Sequence, residues 1–353
     1  MTATLRCGII GCGVVSPSHF EGFLRCPGVE VTWACDLVAD KAEKMARRYN
    51  VPRITRDFRE VLADEAVDCI SICTDHASHA PIAVAALAAG KHVLCEKSLA
   101  ANDDDLRQMI DAHRRRPDLV FGGVFQHRFD PAVRALKALV EEKAFGDILT
   151  ASVQVRCFRS AEYYRADAWR GTWHGEGGAV LINQAIHFID VLLWVVGGAA
   201  AACGTYSNLR HQGVIETEDV AAAALRLRCG ALGTIEVTSA SNLDWEYTIS
   251  IHGSDGALDL RDNRPLKAIF RDPAKAIAAA ARLSAVPSAA VVSGKYYYGT
   301  GHAAQIADFV AAIRERRPPY VTALSAAHAV ATVLTIYRSH REGRWLEVAD
   351  FGE

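Results

Sequence analysis

The chain has 353 residues, of which 50% are apolar and 23% are charged, and its formal net charge at pH 7 is −2. This composition is typical of a globular protein with a full-sized core in one large or two ordinary domains. No basic stripe runs through the sequence, which argues against nucleic acid as the main partner. No signal peptide and no apolar window long enough to cross a bilayer is recognised, so a cytoplasmic location without a membrane partner is expected.

The ten cysteines lie mostly in apolar, strand-like runs such as VDCISIC. Without a secretory context and without a CxxC pair, disulfides are not expected. The cysteine spacing does not exclude zinc but offers nothing specific for it, and no metal site is predicted. Small buried hydrophobic side chains in a reducing compartment are the favoured interpretation.

The first 125 residues alternate short apolar strands with helical segments. The strand-like runs are LRCGIIG, VEVTWACD, VDCISIC, HVLCEK and LVFGGVF. Strands that are apolar throughout are buried on both faces, as in a parallel sheet covered by helices. Residues 1–125 are therefore predicted to form an α/β domain with a doubly wound parallel sheet.

The pattern changes after QHRFDP, where strand-like stretches joined by turn signals such as RCGALG and HGSDGA dominate. Strands joined by short turns indicate an open, largely antiparallel sheet. Residues 126–353 are therefore predicted to form an α+β domain, with helices near 131–143, 303–314 and 323–340. The alanine-rich segment 276–290 is either a further helix or a mobile insert.

A glycine-rich loop follows the first predicted strand. GIIGCGVVS contains the GxGxx(G/A) pattern with Ser16 in the third place, between a strand and a helix, as dinucleotide binding requires. Gly11 is expected to make the tight turn, and Gly13 to let the backbone approach a pyrophosphate at the helix N-terminus. An ordinary glycine turn is the alternative. The predicted cofactor contacts in this loop are Gly11, Cys12, Gly13, Val14 and Val15.

Asp36 ends the second predicted strand. A carboxylate there accepts hydrogen bonds from ribose hydroxyls and repels a 2′-phosphate. No adjacent arginine is present to bind such a phosphate. The expected cofactor is therefore NAD rather than NADP, with a solvated turn aspartate as the alternative.

A second polar signal lies in NQAIHFIDVLLW. Asn183, His187 and Asp190 are spaced to share one face of an otherwise almost entirely apolar helix. Trp194 continues the row. Such a helix is expected to be buried, where polar groups must find partners. The row therefore faces either an internal hydrogen-bond network or a cavity that holds a ligand.

Glu96 and Lys97, in CEKS, fall at the C-terminal end of a predicted strand, the edge at which doubly wound sheets bind ligands. A surface ion pair is the alternative. With these residues, nearly the whole chain resembles the glucose–fructose oxidoreductase, inositol dehydrogenase and MocA family. The resemblance rests on the glycine loop, TDHASH at 74–79, EKS at 96–98, GGAVLINQAIHFID at 177–190 and the closing GHAAQIADFVAAIRERRPP.

The resemblance implies a Rossmann domain and a C-terminal mixed α/β domain whose open sheet often mediates oligomers. It also implies hydride transfer between a nicotinamide and a sugar, polyol or related alcohol. A homodimer or homotetramer is accordingly expected.

The family motifs carry over position by position, with two departures. Lys97 matches the lysine of the EKP motif, beside nicotinamide and substrate, and Ser98 replaces its proline. His187 matches the histidine of the D-x-x-x-H element, whose aspartate is Asn183 here. An amide orients a hydroxyl but takes up no proton, so proton transfer is assigned to His187, helped by Lys97. Asp190 is a candidate to orient the imidazole.

Further candidates each have a packing alternative. The catalytic candidates are Lys97 and His187. The remaining cofactor candidates are Thr74, His76, His79, Glu96, Lys97 and Trp169. The substrate candidates are Asn183, Arg170, Tyr163 and Tyr164. Arg170 suits a carboxylate or phosphate but equally a structural ion pair, and the two tyrosines line a sugar pocket or simply pack. Tyr296–Tyr298 and His302 border the cleft or, as favoured here, pack.

The phrase YYRADAWRGTW, with the NQAIH form, resembles the branch that acts on hexopyranosides and nucleotide sugars, including C3 dehydrogenases of uronic-acid sugars. The predicted function is NAD-dependent oxidation of a secondary hydroxyl of a sugar, glycoside or nucleotide sugar. One alternative is an NAD-dependent glycoside hydrolase that oxidises C3 transiently and recycles its NADH. The other is a non-enzymatic sugar sensor of the same fold, against which the retention of Lys97 and His187 argues.

Overall fold

The computed structural model describes residues 4–284 and 301–352. The chain folds as two compact units, and each unit contains its own sheet. Within the described residues, no helix combines the length and the apolar character that crossing a membrane requires.

The helices and strands follow one another in the order that the hydrophobic patterns suggest, with several short additions. In chain order they are β1 Leu5–Ile10, α1 Ser16–Leu24, β2 Val29–Cys35, α2 Ala39–Tyr49, β3 Arg53–Thr55, α3 Phe58–Ala63, β4 Cys69–Ile72, α4 His76–Ala88, β5 His92–Cys95, α5 Asp103–Arg114, β6 Phe121–Gly123, α6 Pro131–Glu141, β7 Ile148–Phe158, α7 Ala161–Arg165, α8 Ile186–Val196, β8 Ala199–Ser207, β9 Val220–Leu227, β10 Leu232–Thr238, β11 Ala240–Gly253, β12 Gly256–Arg261, β13 Arg264–Phe270, α9 Pro273–Ser284, α10 Gly301–Glu315, α11 Ala323–Glu342 and β14 Leu346–Glu347.

The first unit contains the chain up to Gln126 and also the later segment Gly301–Ala327. The division into 1–125 and 126–353 stays a prediction, and the structure differs from it in where this later segment lies. The segment returns because it is apolar on one side: Ile306 of α10 is buried in the core cluster of the first unit. The local sequence pattern does not show that a later segment of the chain packs in the core of the first unit.

The strands of the first unit form a sheet in the order β3-β2-β1-β4-β5-β6, and all described neighbours are parallel. The chain order reverses between β1 and β4. In open parallel sheets, ligands bind outside the carboxyl ends of the strands at such a reversal. The predicted doubly wound parallel sheet is confirmed, and the loops after β1, β2, β4 and β5 all open on this edge.

The second unit contains a sheet in the order β13-β12-β11-β7-β10-β9-β8-β14. The strands β7 and β10 pair in parallel, whereas the other described neighbours are antiparallel. Burial alternates along β9 and β10, so one face of the sheet covers the core and the other is exposed. The predicted open, largely antiparallel sheet is therefore confirmed.

The alanine-rich segment is helical as far as it is described, since α9 spans Pro273–Ser284. The helix alternative is thus the correct one for that part. The remainder of the segment, and the predicted cleft residues Tyr296–Tyr298, lie outside the described residues.

The polar row of the second unit does not lie on a single helix. Residues Val180–Gln184 form a turn of π-helix, and α8 begins only at Ile186. Asn183 therefore lies in the π turn, whereas His187 lies on α8. Because a π turn changes the number of residues per turn, the predicted common face does not extend to the amide.

Candidate active site

The glycine loop between β1 and α1 leaves its backbone open to an approaching group. Gly11 has a φ of +94°, and a Cβ there would collide with the carbonyl group of Cys73. A Cβ on Gly13 would meet no atom within 4 Å. Ser16, buried at the start of α1, donates its hydroxyl to the Gly13 carbonyl at 2.9 Å. An open backbone before a helix N-terminus fits a pyrophosphate group.

Asp36 follows β2 and is tied to this loop. Its Oδ2 accepts a hydrogen bond from the N–H of Cys12, and its Oδ1 accepts one from the N–H of Val38, both at 2.8 Å. A carboxylate fixed beside the glycine turn fits the recognition of ribose hydroxyls. The Val38 contact spans two residues, as in a turn, and the ribose contact of Asp36 stays a prediction. Val14 is 66% exposed, which leaves the outer side of the loop accessible.

A buried carboxylate, Glu96, follows β5 and lies between two imidazoles. Nε2 of His19 donates to Oε1 of Glu96 at 2.8 Å, and Nε2 of His302 lies 3.7 Å from the same oxygen. The hydroxyl of Ser71 lies 2.7 Å from Nδ1 of His19. Burial raises the pKa of Glu96, but the hydrogen bonds and charges of the two histidines outweigh it and hold this pKa well below its usual range. Glu96 is therefore an ionised internal group rather than a surface ion pair.

The same side chains approach closely enough to raise the question of a cation. One ligand atom from each of His19, Glu96 and His302 lies within 4.8 Å of the others. Both nitrogens of His19 already have hydrogen-bond partners, and a cation would displace one of them. The sequence predicted no metal site, and the geometry of these described residues is that of a hydrogen-bond network.

Lys97 is half-buried, and the backbone on both sides of it is fixed. Its N–H donates to Oε2 of Glu96 at 3.1 Å. The peptide bond between Lys97 and Ser98 is cis. The carbonyl of Ser98 accepts a hydrogen bond from Nδ1 of His79 at 2.6 Å, and Nε2 of His79 lies 3.3 Å from the carbonyl of Thr74. Glu96 and His79 therefore hold the lysine segment from its two ends.

The loop after β4 is shaped by the N-terminal cap of α4. Asp75 accepts hydrogen bonds from the N–H and the hydroxyl of Ser78 at 3.1 and 2.8 Å. Burial lowers the pKa of His79, so its ring is neutral near pH 7. Thr74 is half-buried and His76 is buried. The cofactor contacts of Thr74, His76 and His79 stay predictions.

In the second unit, His187 and Asp190 are the two ionisable residues on α8. All residues of this helix except His187 and Trp194 are buried. The His187 ring packs edge-on against His127, with 5.3 Å between ring centroids and an interplanar angle of 72°. A half-buried imidazole is suited to proton transfer.

Sequence reasoning missed His127, which it treated only as part of a domain boundary. Nδ1 of His127 donates to Oδ2 of Asp130 at 2.7 Å, and the same oxygen accepts from Nδ2 of Asn263 at 3.0 Å. The proton on Nδ1 leaves Nε2 as an acceptor. This atom is buried and has no hydrogen-bond partner among the described residues. The H-x-x-D spacing in QHRFDP is the signal that would have identified the pair.

Asp190 does not orient His187, because it is paired elsewhere. Nε and Nη2 of Arg128 donate to its two oxygens at 2.8 and 2.5 Å, and both side chains are at most 2% exposed. The guanidinium group of Arg128 also lies over the ring of Trp194, 5.4 Å from its centroid. Asp190 and Trp194 of the predicted polar row therefore both contact Arg128, and Asp190 forms a buried ion pair with it. The sequence alone does not distinguish this structural role from a catalytic one.

Asn183 contacts the carboxylate of Glu176, which the sequence analysis did not predict as a site residue. Its Nδ2 donates to Oε1 of Glu176, and Oε2 of Glu176 accepts from the N–H of Gly171. Glu176 is fully buried. No sequence pattern marks this glutamate, because it lies outside the helical segment and its partners Gly171 and Asn183 lie in different turns.

A second buried glutamate, Glu218, anchors the backbone that leads into the π turn. Its carboxyl group accepts from the N–H groups of Ala179 and Leu181 at 3.1 and 3.0 Å and from the hydroxyl of Tyr337 at 2.7 Å. Burial raises the pKa of Glu218 to about 7, although these hydrogen bonds act in the opposite direction.

Arg170 lies among aromatic rings. Its Nε donates to Oδ2 of Asp167 at 2.9 Å, and its guanidinium carbon lies 4.3 Å from the ring centroid of Tyr163 and 5.0 Å from that of Trp169. The structural ion pair foreseen as an alternative is thus present, but it uses only one N–H of the guanidinium. Tyr164 is buried and its hydroxyl lies 2.9 Å from that of Ser239, as a packed residue would.

Each unit thus gathers its own subset of the predicted residues. In the first unit, Asp36 joins the Gly11–Val15 loop, while Glu96, Lys97, His79 and Thr74 form a second connected group. In the second unit, Tyr163, Arg170 and Trp169 form one group, whereas Asn183 and His187 are held by different partners.

Two family models match the chain. One is described as "Oxidoreductase family, NAD-binding Rossmann fold" and matches residues 5–124. The other is described as "Oxidoreductase family, C-terminal alpha/beta domain" and matches residues 137–348. Together they cover most of the chain.

Named relatives are dehydrogenases of sugars and polyols. Levoglucosan dehydrogenase of Pseudarthrobacter phenanthrenivorans is 27% identical over 318 residues, covering 76% of this chain and 81% of that protein. Myo-inositol 2-dehydrogenase of Thermotoga maritima is 25% identical over 273 residues, covering 76% and 78%. Among solved structures, the WlbA dehydrogenase from Bordetella pertussis in complex with NADH and UDP-GlcNAcA superposes with a TM-score of 0.88 at 27% identity, covering 99% of both chains.

Proposed function

The chain belongs to the glucose–fructose oxidoreductase, inositol dehydrogenase and MocA oxidoreductase family, and we propose that it oxidises a secondary hydroxyl of a sugar that carries an anionic group. Membership makes it an NAD-binding oxidoreductase of the sugar-dehydrogenase type. When bound, NAD accepts the hydride from the carbon that bears the hydroxyl. The chain's own residues must then orient that hydroxyl and remove its proton.

The observation that carries the proposal is the surroundings of His187. It is a half-buried imidazole on a largely apolar helix, and it packs against a second histidine whose Nδ1 donates to Asp130. We assign His187 as the general base that takes the hydroxyl proton. With the amide of Asn183 unable to do so, proton transfer falls to this imidazole.

Lys97 is assigned the role of stabilising negative charge on the reacting oxygen. Support comes from the way its segment is held, by a hydrogen bond from its own N–H to Glu96 and by the Ser98 carbonyl on His79. Glu96, kept ionised by its two histidines, supplies a fixed negative charge next to Lys97 along the chain. The ammonium group of Lys97 is the part of the side chain assigned to stabilise the oxyanion.

The anionic substrate class rests on Arg170. Its Nε is taken by Asp167, and its flat group is held against Tyr163 and Trp169, so its terminal N–H groups are presented in a fixed orientation. Such a preorganised fork matches a carboxylate or phosphate. The Bordetella pertussis relative, described with UDP-GlcNAcA, supports a uronic-acid or nucleotide-linked sugar.

The test is NADH formation, followed by absorbance, with three matched substrates: a neutral hexose, its uronic acid and a nucleotide-linked form. We expect the anionic sugars to be oxidised with several turnovers of released NADH. Arg170→Met should raise their KM about tenfold or more and leave the neutral sugar unaffected. NADH that forms but never leaves the enzyme while a glycoside is cleaved would instead support the hydrolase. NAD binding without turnover would support the sensor.

Self-association is proposed through the exposed face of the second sheet, as the family resemblance suggests. On β9 and β10 this face carries Ala222, Ala224, Leu232 and Thr234 together with the charged Arg226 and Glu236. Light scattering of the purified protein should give a dimer or tetramer, and Leu232→Asp should lower that mass. The cytoplasmic location stays a prediction.

A further inference from the structure

Residues 208–216, between β8 and β9, form a turn that is tied to a buried carboxylate. Oδ1 of Asp219 accepts the N–H of Leu209 at 2.8 Å, and Oδ2 accepts the N–H groups of Arg210 and His211 at 2.8 and 3.0 Å. Asp219 is fully buried. Burial alone would raise its pKa, but these hydrogen bonds and one from the His211 ring hold the pKa below its usual range. Asp219 is therefore ionised.

Both ring nitrogens of His211 face groups that only accept hydrogen bonds. Nδ1 lies 2.9 Å from Oδ2 of Asp219, and Nε2 lies 2.7 Å from the carbonyl oxygen of Arg159. An ionised carboxylate and a carbonyl have no proton to give, so each nitrogen must donate. A neutral imidazole carries one N–H, whereas an imidazolium carries two. The arrangement is therefore that of a protonated ring, buried beside the charge of Asp219.

The far end of the 208–216 turn lies against the segment that carries Arg170. The N–H of Glu216 donates to the carbonyl of Gly171 at 2.9 Å, and a Cβ on Gly171 would lie 2.3 Å from Cγ2 of Ile215. Ile215 also packs with Tyr164 in one buried cluster. Since Gly171 directly follows Arg170, the turn fixes the backbone next to this guanidinium group.

We propose that His211 is a positioning residue for Arg170, and that its protonation controls how firmly the 208–216 turn is held. As the imidazolium, it fastens the turn to the Arg159 carbonyl and to Asp219, and the turn holds the backbone beside Arg170. Loss of the proton removes one of these two donors and leaves the buried carboxylate without its cation. The inference rests on the proposed function and deepens it, because it predicts that affinity for an anionic sugar falls as the pH rises.

The groups that face His211 come from its own turn and from three neighbouring segments. Asp219 precedes β9, Arg159 follows β7, and Tyr164 lies on α7 with its ring centroid 5.1 Å from that of His211. Burial raises the pKa of Tyr164, so this phenol is neutral. The guanidinium groups of Arg159 and Arg210 each lie over an aromatic ring, 5.2 and 4.8 Å from its centroid. Asp219 is thus the charged side chain that contacts the imidazolium.

Steady-state kinetics across pH, with a uronic acid and the matched neutral hexose, test the proposal. The wild-type KM for the uronic acid should rise about tenfold between about pH 6 and about pH 9, while the KM for the neutral sugar stays constant. His211→Phe keeps a ring beside Tyr164 but loses both donors. Its KM for the uronic acid should be high at every pH, and its kcat should keep the pH dependence that His187 sets. The exposed His252→Phe, in the same unit, is the matched control and should behave as the wild type.

NMR of 15N-labelled histidine rings measures the protonation of His211 without turnover, with His211→Phe identifying its signals. Both nitrogens should carry a proton at about pH 6, and one proton should be lost over the pH range in which KM rises. Hydrogen exchange of the amides in the 208–216 turn, corrected for the intrinsic rate, should increase over the same range.

The outcomes separate this inference from the proposed function. If no sugar reduces NAD with the wild-type enzyme, the proposed function fails, and the role of His211 in it fails as well. If the wild type turns over but its KM for the uronic acid does not change with pH, or changes equally in His211→Phe, only the inference is overturned. A His211 ring that carries one N–H throughout this range would also overturn it. If His211→Phe fails to fold, the wild-type KM and NMR curves still decide, because different midpoints would contradict the proposal.

Discussion

Each unit contains a buried cluster of imidazole and carboxylate groups, and the two clusters differ in where the carboxylate lies. In the first unit Glu96 is central, between His19 and His302. In the second unit Asp130 is at one end and the half-buried His187 at the other, separated by one further imidazole. A central carboxylate contacts both neighbouring imidazoles and builds a scaffold, whereas in the second unit the carboxylate bonds to His127 and the half-buried His187 packs against that ring.

The largest effect in this comparison is expected from removing the half-buried imidazole of His187. For His187→Asn we expect kcat to fall by about a thousandfold, because the general base is lost. NAD affinity, measured by quenching of protein fluorescence, should be unchanged. A fall of less than about tenfold would remove His187 from the proton transfer.

A third buried carboxyl group, Glu218, extends the comparison to pH. Burial raises its pKa to about 7 in the folded protein, although the hydrogen bonds from the backbone and from Tyr337 act in the opposite direction. A raised pKa means that the folded state binds the proton more tightly than the unfolded state does. Its stabilising effect is therefore complete below the ordinary carboxyl pKa and is lost as the pH rises through about 7.

The expected loss is of the order of 3 kcal/mol, from about 1.4 kcal/mol for each unit of pKa. Urea unfolding at several pH values between the ordinary carboxyl pKa and about 7 measures this loss of stability. Glu218→Gln should flatten the dependence. If the free energy of unfolding rises with pH in the wild type, and rises equally in Glu218→Gln, groups other than Glu218 dominate the pH dependence of stability.

Glu96 should behave with the opposite sign, because its pKa is held well below the usual range. It stabilises the fold above the ordinary carboxyl pKa, and this contribution is lost as the pH falls toward its folded value. At pH 7 we expect Glu96→Gln to lower the free energy of unfolding by about 2 kcal/mol through the loss of a charge-assisted buried hydrogen bond. The exposed Glu60→Gln serves as the control. An equal loss in both would contradict the scaffold role.

The smallest effect is expected at the middle of the second cluster. In His127→Phe the ring packing beside His187 is kept while both ring nitrogens are lost. We expect kcat to fall about tenfold, with the apparent pKa of the rate profile shifted. The pH–rate profile of kcat/KM measures this. A profile identical to that of the wild type would mean that His127 only packs against His187 and takes no part in proton transfer.

The elements that were predictable are those with a strong local pattern. The apolar strands β1, β4 and β5, the glycine loop and the return of Asp36 to that loop all follow from residues that are close in sequence or set by strand order. The family resemblance then supplied Lys97 and His187, which no periodicity separates from ordinary core residues.

The parts that were not predictable depend on partners distant in sequence. Asp190 was read as a possible orienter of His187, and only the fold shows that Arg128 occupies it. Asn183 was placed on the helix, but the π turn and Glu176 remove it from that face. Long-range pairs and a local change in helical period leave no periodic signal, which explains why these assignments needed coordinates.

The most direct test of the central claim is the pH dependence of single-turnover NADH formation by the wild-type enzyme and His187→Asn, each saturated with NAD and an anionic sugar. The account predicts a wild-type rate that rises as an imidazole loses its proton, and a variant rate that is about a thousandfold lower with this rise absent. A variant that retains both the wild-type rate and its pH dependence would contradict the assignment of His187 as the base.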